Sequence, residues 1–225
     1  MMKNFVWVVI SLFIASGLAS CGGGSSSSNA STIPLAITGT SGNAVDMNGT
    51  WKGCQRNDQD QQDLLISAAI NGSGVTVTGS IWSAPTTANC QQTAGPDAVF
   101  TEVVTLSAGA QATATWTDGM GSTLPPSGIS ASAKATQITM AYQSATMTVN
   151  SASWVTNFNN GAFCGKTDWQ VGVPVNVLNC TDIVSSTTET NYWVVDDSSA
   201  PLKLYMQDIA TAPYQVDSIN PLVKQ

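Results

Sequence analysis

The chain has 225 residues, of which only 9% are charged, with 14 Asp and Glu against 7 Lys and Arg and no His at all. Without a basic surface to neutralise phosphates, nucleic acid is excluded as a partner. Without His, the usual general base, the Ser-His-Asp and Cys-His nucleophile arrangements and the commonest zinc ligand are all missing.

The first segment carries Lys3, an apolar run from Phe5 to Ile14 and the tetrapeptide Leu18-Ala19-Ser20-Cys21. A basic start, a short apolar stretch and small residues form the pattern of an export signal. The run is shorter than the ~20 residues that a membrane-spanning helix needs. The tetrapeptide resembles a bacterial lipobox. That resemblance implies removal of residues 1–20 and a lipid on Cys21, whose acyl chains, at ~0.8 kcal/mol per buried methylene, hold the chain to a membrane. Gly22 follows the Cys where Asp would signal retention, which in enteric-type lipoproteins implies the outer membrane, on a face left open. Gly22 to Gly24 and Ser25 to Ser28 begin a flexible tether over 21–44, with a reach of ~25 Å. Residues 45–225 then form one domain, able to bury ~70% of its unfolded surface.

Beyond residue 44 the apolar residues alternate with period two and helical periodicity is almost absent, an all-β pattern. Asn57 to Asp63 places Asp58, Asp60 and Asp63 at spacings like those of a calcium loop. The match fails at the sixth and twelfth positions, held by Asp63 and Ala69, so a solvated loop feeding a strand is expected there. Asn71-Gly72 between runs 64–70 and 74–82 predicts a hairpin with a type I′ turn. In the second run Val75, Val77 and Ile81 share a face. Glu102 interrupts the apolar strand from Phe100 to Val104 and is expected to point outward, opposite Val103. Gly109 and Ser144 mark weaker hairpins, and Ala112, Ala114 and Trp116 alternate with threonines between them. The Gly/Pro-rich stretch from Asp118 to Ser130 predicts a long loop, either a surface excursion or a cover for a barrel mouth. Trp169, Val171, Val173, Val175 and Val177 make the longest alternating series, with Pro174 marking an edge or a break. Leu202, Leu204 and Met206 repeat the pattern. The count is roughly eight to ten short strands, as in an antiparallel up-and-down barrel or a β-sandwich.

Besides Cys21 there are Cys54, Cys90, Cys164 and Cys180. An even number in an exported chain predicts two disulfides, and of three possible connectivities the nearest-neighbour one, Cys54 with Cys90 and Cys164 with Cys180, is favoured. Loop closure makes each worth ~3–4 kcal/mol. No Cys-x-x-Cys spacing occurs, so no metal site is expected, and no cofactor is implied.

Gly49-Thr50-Trp51 and Thr167-Asp168-Trp169 resemble the Gly-x-Trp and Thr-Asp-Tyr motifs of lipocalins, with Trp for Tyr in the second. The resemblance implies a lipocalin-like barrel in which Trp51 plugs the closed end and Gly49 lets the chain pass beneath it. Lipocalins set an Arg near the last strand over that Trp. Here the only Arg is Arg56, so Lys203 or Lys224 must take its place. The tail from Leu204 is similar to the final strand of bacterial lipoproteins that begin with a like Gly-Thr-Trp segment. A lipocalin-like barrel implies a non-catalytic binder of a small apolar molecule, with Trp82, Trp116 and Trp169 as candidate cavity residues. Two other function classes fit the pattern: a sandwich used in adhesion, carbohydrate binding or envelope assembly, and a glycan hydrolase that works with carboxylates alone. No catalytic residue is assigned.

Overall fold

The structure is a computed structural model that describes residues 34–57, 62–83, 90–118, 124–180, 183, 187–209 and 214–225. Its strands are β1 (Ala36–Thr38), β2 (Ala44–Asp46), β3 (Gly49–Asn57), β4 (Gln62–Asn71), β5 (Gly74–Ser83), β6 (Ala98–Thr117), β7 (Ser132–Val149), β8 (Pro174–Asn176), β9 (Thr188–Asp196), β10 (Lys203–Ile209), β11 (Tyr214–Asp217) and β12 (Leu222–Lys224). Among the described residues one α-helix, α1 (Ala152–Asn160), interrupts them.

Eight strands pair in a closed ring, β3-β4-β5-β6-β7-β9-β10-β12 and back to β3, with every pairing antiparallel. Ring order follows chain order, so this is an up-and-down barrel and the sandwich alternative falls. Closure leaves the ring without a free edge. The period-two pattern decides what faces inward: Leu64, Ile66, Ala68 and Ile70 on β4, Val75, Val77 and Ile81 on β5, and Ala98, Phe100, Val104 and Leu106 on β6 are all buried. At Gly79 the Phe100 ring occupies the space a side chain would need, only 1.8 Å from an added Cβ.

The long β6–β7 hairpin carries two β-bulges, between Val103 and Val104 and between Ala108 and Gln111. At the second, Gly109 and Ala110 stand against Gln137 alone, and the side-chain alternation of β6 reverses. Ala112, Ala114 and Trp116 therefore lie on the face opposite Ala98 to Leu106. On that face β11 runs parallel to the end of β6 and antiparallel to β10. The pairings β6-β7-β9-β10-β11 thus make a second circuit of five strands. It encloses a separate small core of Ala114, Trp116, Ala135, Val194, Tyr205 and Val216. Trp116 meets Tyr205 edge-on, with ring centroids 5.1 Å apart.

The hairpin β1–β2 covers the end of the main barrel where β3 begins. Leu35, Ile37, Val45 and Met47 join the main core, and Thr40 N donates to Val195 O at 2.9 Å. At the opposite end, the excursion after β7 brings α1 and the following loop together. Trp154 and Phe158, one helical turn apart, pack with Phe163 and Trp169. Val177, Cys180 and Ile183 complete this part of the main core. Disulfides Cys54–Cys90 and Cys164–Cys180 form as expected.

Several expectations are corrected. The hairpin after β4 is present, but Asn71 pairs with Gly74, so Gly72 and Ser73 are the central residues and only Gly72 has positive φ, at 59°. The type I′ turn, which needs positive φ at both, is therefore not formed. Gly109 and Ser144 mark bulges within one hairpin, because a glycine or polar break inside a strand serves a local kink as readily as a turn. The series from Trp169 to Val177 is mostly loop. Only Pro174–Asn176 pairs, at the end of β7, while Val171 and Val173 are exposed. Helix α1 was not anticipated. The tail from Leu204 contains parts of three strands, not one. Among the described residues, β1 already lies inside the span assigned to the tether.

Candidate functional site

Trp51 lies near the start of β3, the first strand of the closed ring. Its side chain is fully buried, its Nε1 donates to Met47 O at 2.8 Å, and Lys224 Nζ lies 5.5 Å from the ring centroid. Lys224 also donates to Asp46 O at 2.8 Å. Because Lys224 on β12 is the register partner of Trp51, the final strand delivers a cation to the first strand's tryptophan. Gly49, with φ 121°, turns the backbone into β3 beneath it.

Above this plug the barrel holds a cavity of about 20 Å³, enough for one water-sized occupant. Its wall includes Ile70, Val77, Leu106, Met140, Trp193 and Met206, and Glu102 and Tyr142 also line it. Glu102 thus faces inward, contrary to expectation, because it shares the parity of Phe100 and Val104, while Val103 is exposed. Its Oε2 is buried with no hydrogen-bond partner, as is Trp193 Nε1. Across the interior, the Tyr142 hydroxyl donates to Glu189 Oε2 at 3.1 Å. Burial first, and then the Glu189 charge, push Glu102 up to about 7. Burial also pushes Glu189 up to about 7 against the opposing hydrogen bond from Tyr142. Burial and the two carboxylates raise the Tyr142 phenol well above its ordinary value. The interior therefore offers two carboxyls that exchange protons near neutrality, which can hold or release a proton or accept a cation.

Gln55 and Gln62 also point inward near the other end of β3 and β4, and the buried carboxamide atoms of both have no hydrogen-bond partner. They do not line the cavity. A wider concave surface, about 410 Å³, lies outside the barrel between Gly39–Gly42 and Gly128–Lys134. It has no deeply buried side chain of its own.

The three candidate tryptophans are not brought together. Trp82 lies on the outer face of β5, its Nε1 on Ala94 O at 2.9 Å. Trp116 is in the second core, its Nε1 on Ser130 O at 2.9 Å. Trp169 is held in the aromatic cluster by Phe163 O and Asn159. None lines the cavity, whereas Trp193 does. Parity alone misplaced Trp116, since the bulge that reverses it leaves only a glycine in the sequence. Ile129 packs on the second core, so the described end of the 118–130 stretch serves that core and not a mouth. Cys54, Cys90 and Asp63 lie close enough to suggest metal ligation, but the two sulfurs are bonded to each other. Asp63 instead accepts hydrogen bonds from Cys90 N and the Gln92 side chain. Cys21, Asp58 and Asp60 lie outside the described residues.

Comparison with protein-family models and with curated proteins finds no match.

Proposed function

We propose that this chain is a lipid-anchored outer-membrane lipoprotein whose barrel is a non-catalytic, lipocalin-like binder of a small apolar molecule. The observation that carries the reading is a cavity inside a closed barrel, walled by apolar side chains with few polar groups and backed by the Trp51 plug. Met140 and Met206 in its wall are unbranched and adaptable, so the interior can widen around an occupant by changing rotamers.

Titration of the folded protein with a neutral apolar dye tests the binding reading. Saturable uptake of one dye per barrel, displaced by an unlabelled apolar competitor, is expected. Absence of uptake by folded protein overturns it. The anchor rests on Lys3, the apolar run and the Leu18-to-Cys21 lipobox resemblance. Replacing Cys21 with Ala is expected to release the protein from membranes; a variant that still pellets after a carbonate wash rules the lipid anchor out.

A further inference from the structure

We propose that the apolar molecule carries a cationic amine head and that Glu102 receives it. This rests on the binder reading above and adds the chemistry of the head group. Glu102 is 5% exposed, lines the cavity and keeps Oε2 buried without a hydrogen-bond partner. Tyr142 cannot serve it with its proton, because that hydroxyl is committed to Glu189. No Lys or Arg is among the residues that line the cavity. The other titratable groups facing Glu102 are Glu189 from β9 and Tyr142 from β7, while neighbouring β5 offers Val77 and Val75.

A buried carboxyl with no cation beside it must either keep its proton or find a counter-charge. An alkylammonium meets both demands of this interior: its head donates to the open carboxylate oxygen, and its tail takes the space between Val77, Leu106, Met140 and Met206 once the two methionines change rotamer and widen the water-sized cavity. A neutral hydroxyl head can donate to the carboxylate but brings no counter-charge. An anionic head meets two carboxylates. Because burial and the Glu189 charge raise Glu102 to about 7, the counter-charge is most needed just above neutral pH.

Calorimetric titration of the purified protein with octylamine, octanol and octanoate at about pH 8 tests the proposal. Octylammonium is expected to bind at least about tenfold more tightly than octanol, with octanoate weakest. Glu102→Gln, which is isosteric, should shrink the amine preference to about twofold or less, while the exposed Asp168→Asn control keeps it. Equal affinity for amine and alcohol overturns the cation proposal and leaves the apolar binder standing. A preference that survives Glu102→Gln overturns the role of Glu102. No heat with any of the three overturns both readings. The unaltered protein gives an independent check: a preference that does not weaken between about pH 8 and about pH 5 also overturns the proposal.

Discussion

Trp51 and Trp116 are both large, fully buried aromatics, yet they support different parts of the molecule. Cutting either to Ala is expected to cost on the order of 3–5 kcal/mol in denaturant unfolding, as for other core aromatics. Binding of an apolar probe should fall only with the folded fraction in both variants, because neither side chain lines the cavity. Lys224→Met should cost about 1 kcal/mol, since it removes one cation over a ring and one hydrogen bond to Asp46 O while keeping the apolar stem. The carboxyls make a pH prediction. Glu102 rises from an ordinary 4.5 to about 7 in the folded state, so between those values the native protein holds a proton that the unfolded chain has released. Stability is therefore expected to fall as pH rises through this window, by on the order of 3 kcal/mol for Glu102, and to level off above it. Unfolding midpoints measured across the range check the slope, and Glu102→Gln should flatten it. A protein that gains stability over the same interval would contradict the buried placement of Glu102.

Among the elements, β5 and β6 show how a missing side chain is used. Gly79 faces inward and the Phe100 ring lies over it, so that a Cβ there would collide with the ring at 1.8 Å. Gly79→Val is expected to displace Phe100 and destabilise by about 1–3 kcal/mol through overpacking, which thermal unfolding would register. A neutral or stabilising outcome would show that the ring has room to move. The bulge at Gly109 and Ala110 works at the same scale. It turns one long strand into two, one half facing the main core and the other the second core, with pairing to β7 resuming at Gln111 after the interruption. One disulfide joins β3 to the segment after β5, and the other ties the 3-10 turn Phe163–Gly165 to Cys180 within the excursion at the barrel's far end.

For the whole molecule, closure depends on three residues at the end of the chain. β12 pairs with β10 on one side and β3 on the other, so its backbone completes the ring and its Lys224 completes the plug. Deleting Pro221 to Gln225 is expected to expose the edges of β3 and β10, lower the unfolding temperature and make the protein prone to edge pairing. Limited proteolysis and sedimentation would detect this; an unchanged, monomeric and resistant fold would mean that closure does not depend on β12. Most ladders join strands adjacent in sequence, and only the short β3–β12 seam spans most of the chain, so its closure is the long-range step in folding.

Period-two alternation in Val75, Val77 and Ile81 was enough to place β5 and the class of fold, because a half-buried strand must present its two faces differently. The nearer pairing of the four described cysteines was also legible, as was the burial of Trp51, since both follow from local spacing and a short motif. What depended on long-range contact was not. Glu102 looked like an outward residue until its neighbours in β5 and β7 fixed its parity, and Trp116 looked like a cavity residue until a bulge earlier in the same strand turned it over. The helix bearing Trp154 and Phe158 needed the aromatic partners Phe163 and Trp169 to become worth forming. The sequence by itself determined the all-β class, clean strands such as β5 and the favoured cross-links, because alternation and spacing are local properties. Only the tertiary structure decided which face of each strand is inside, because a single extra residue against a neighbouring strand reverses every side chain that follows.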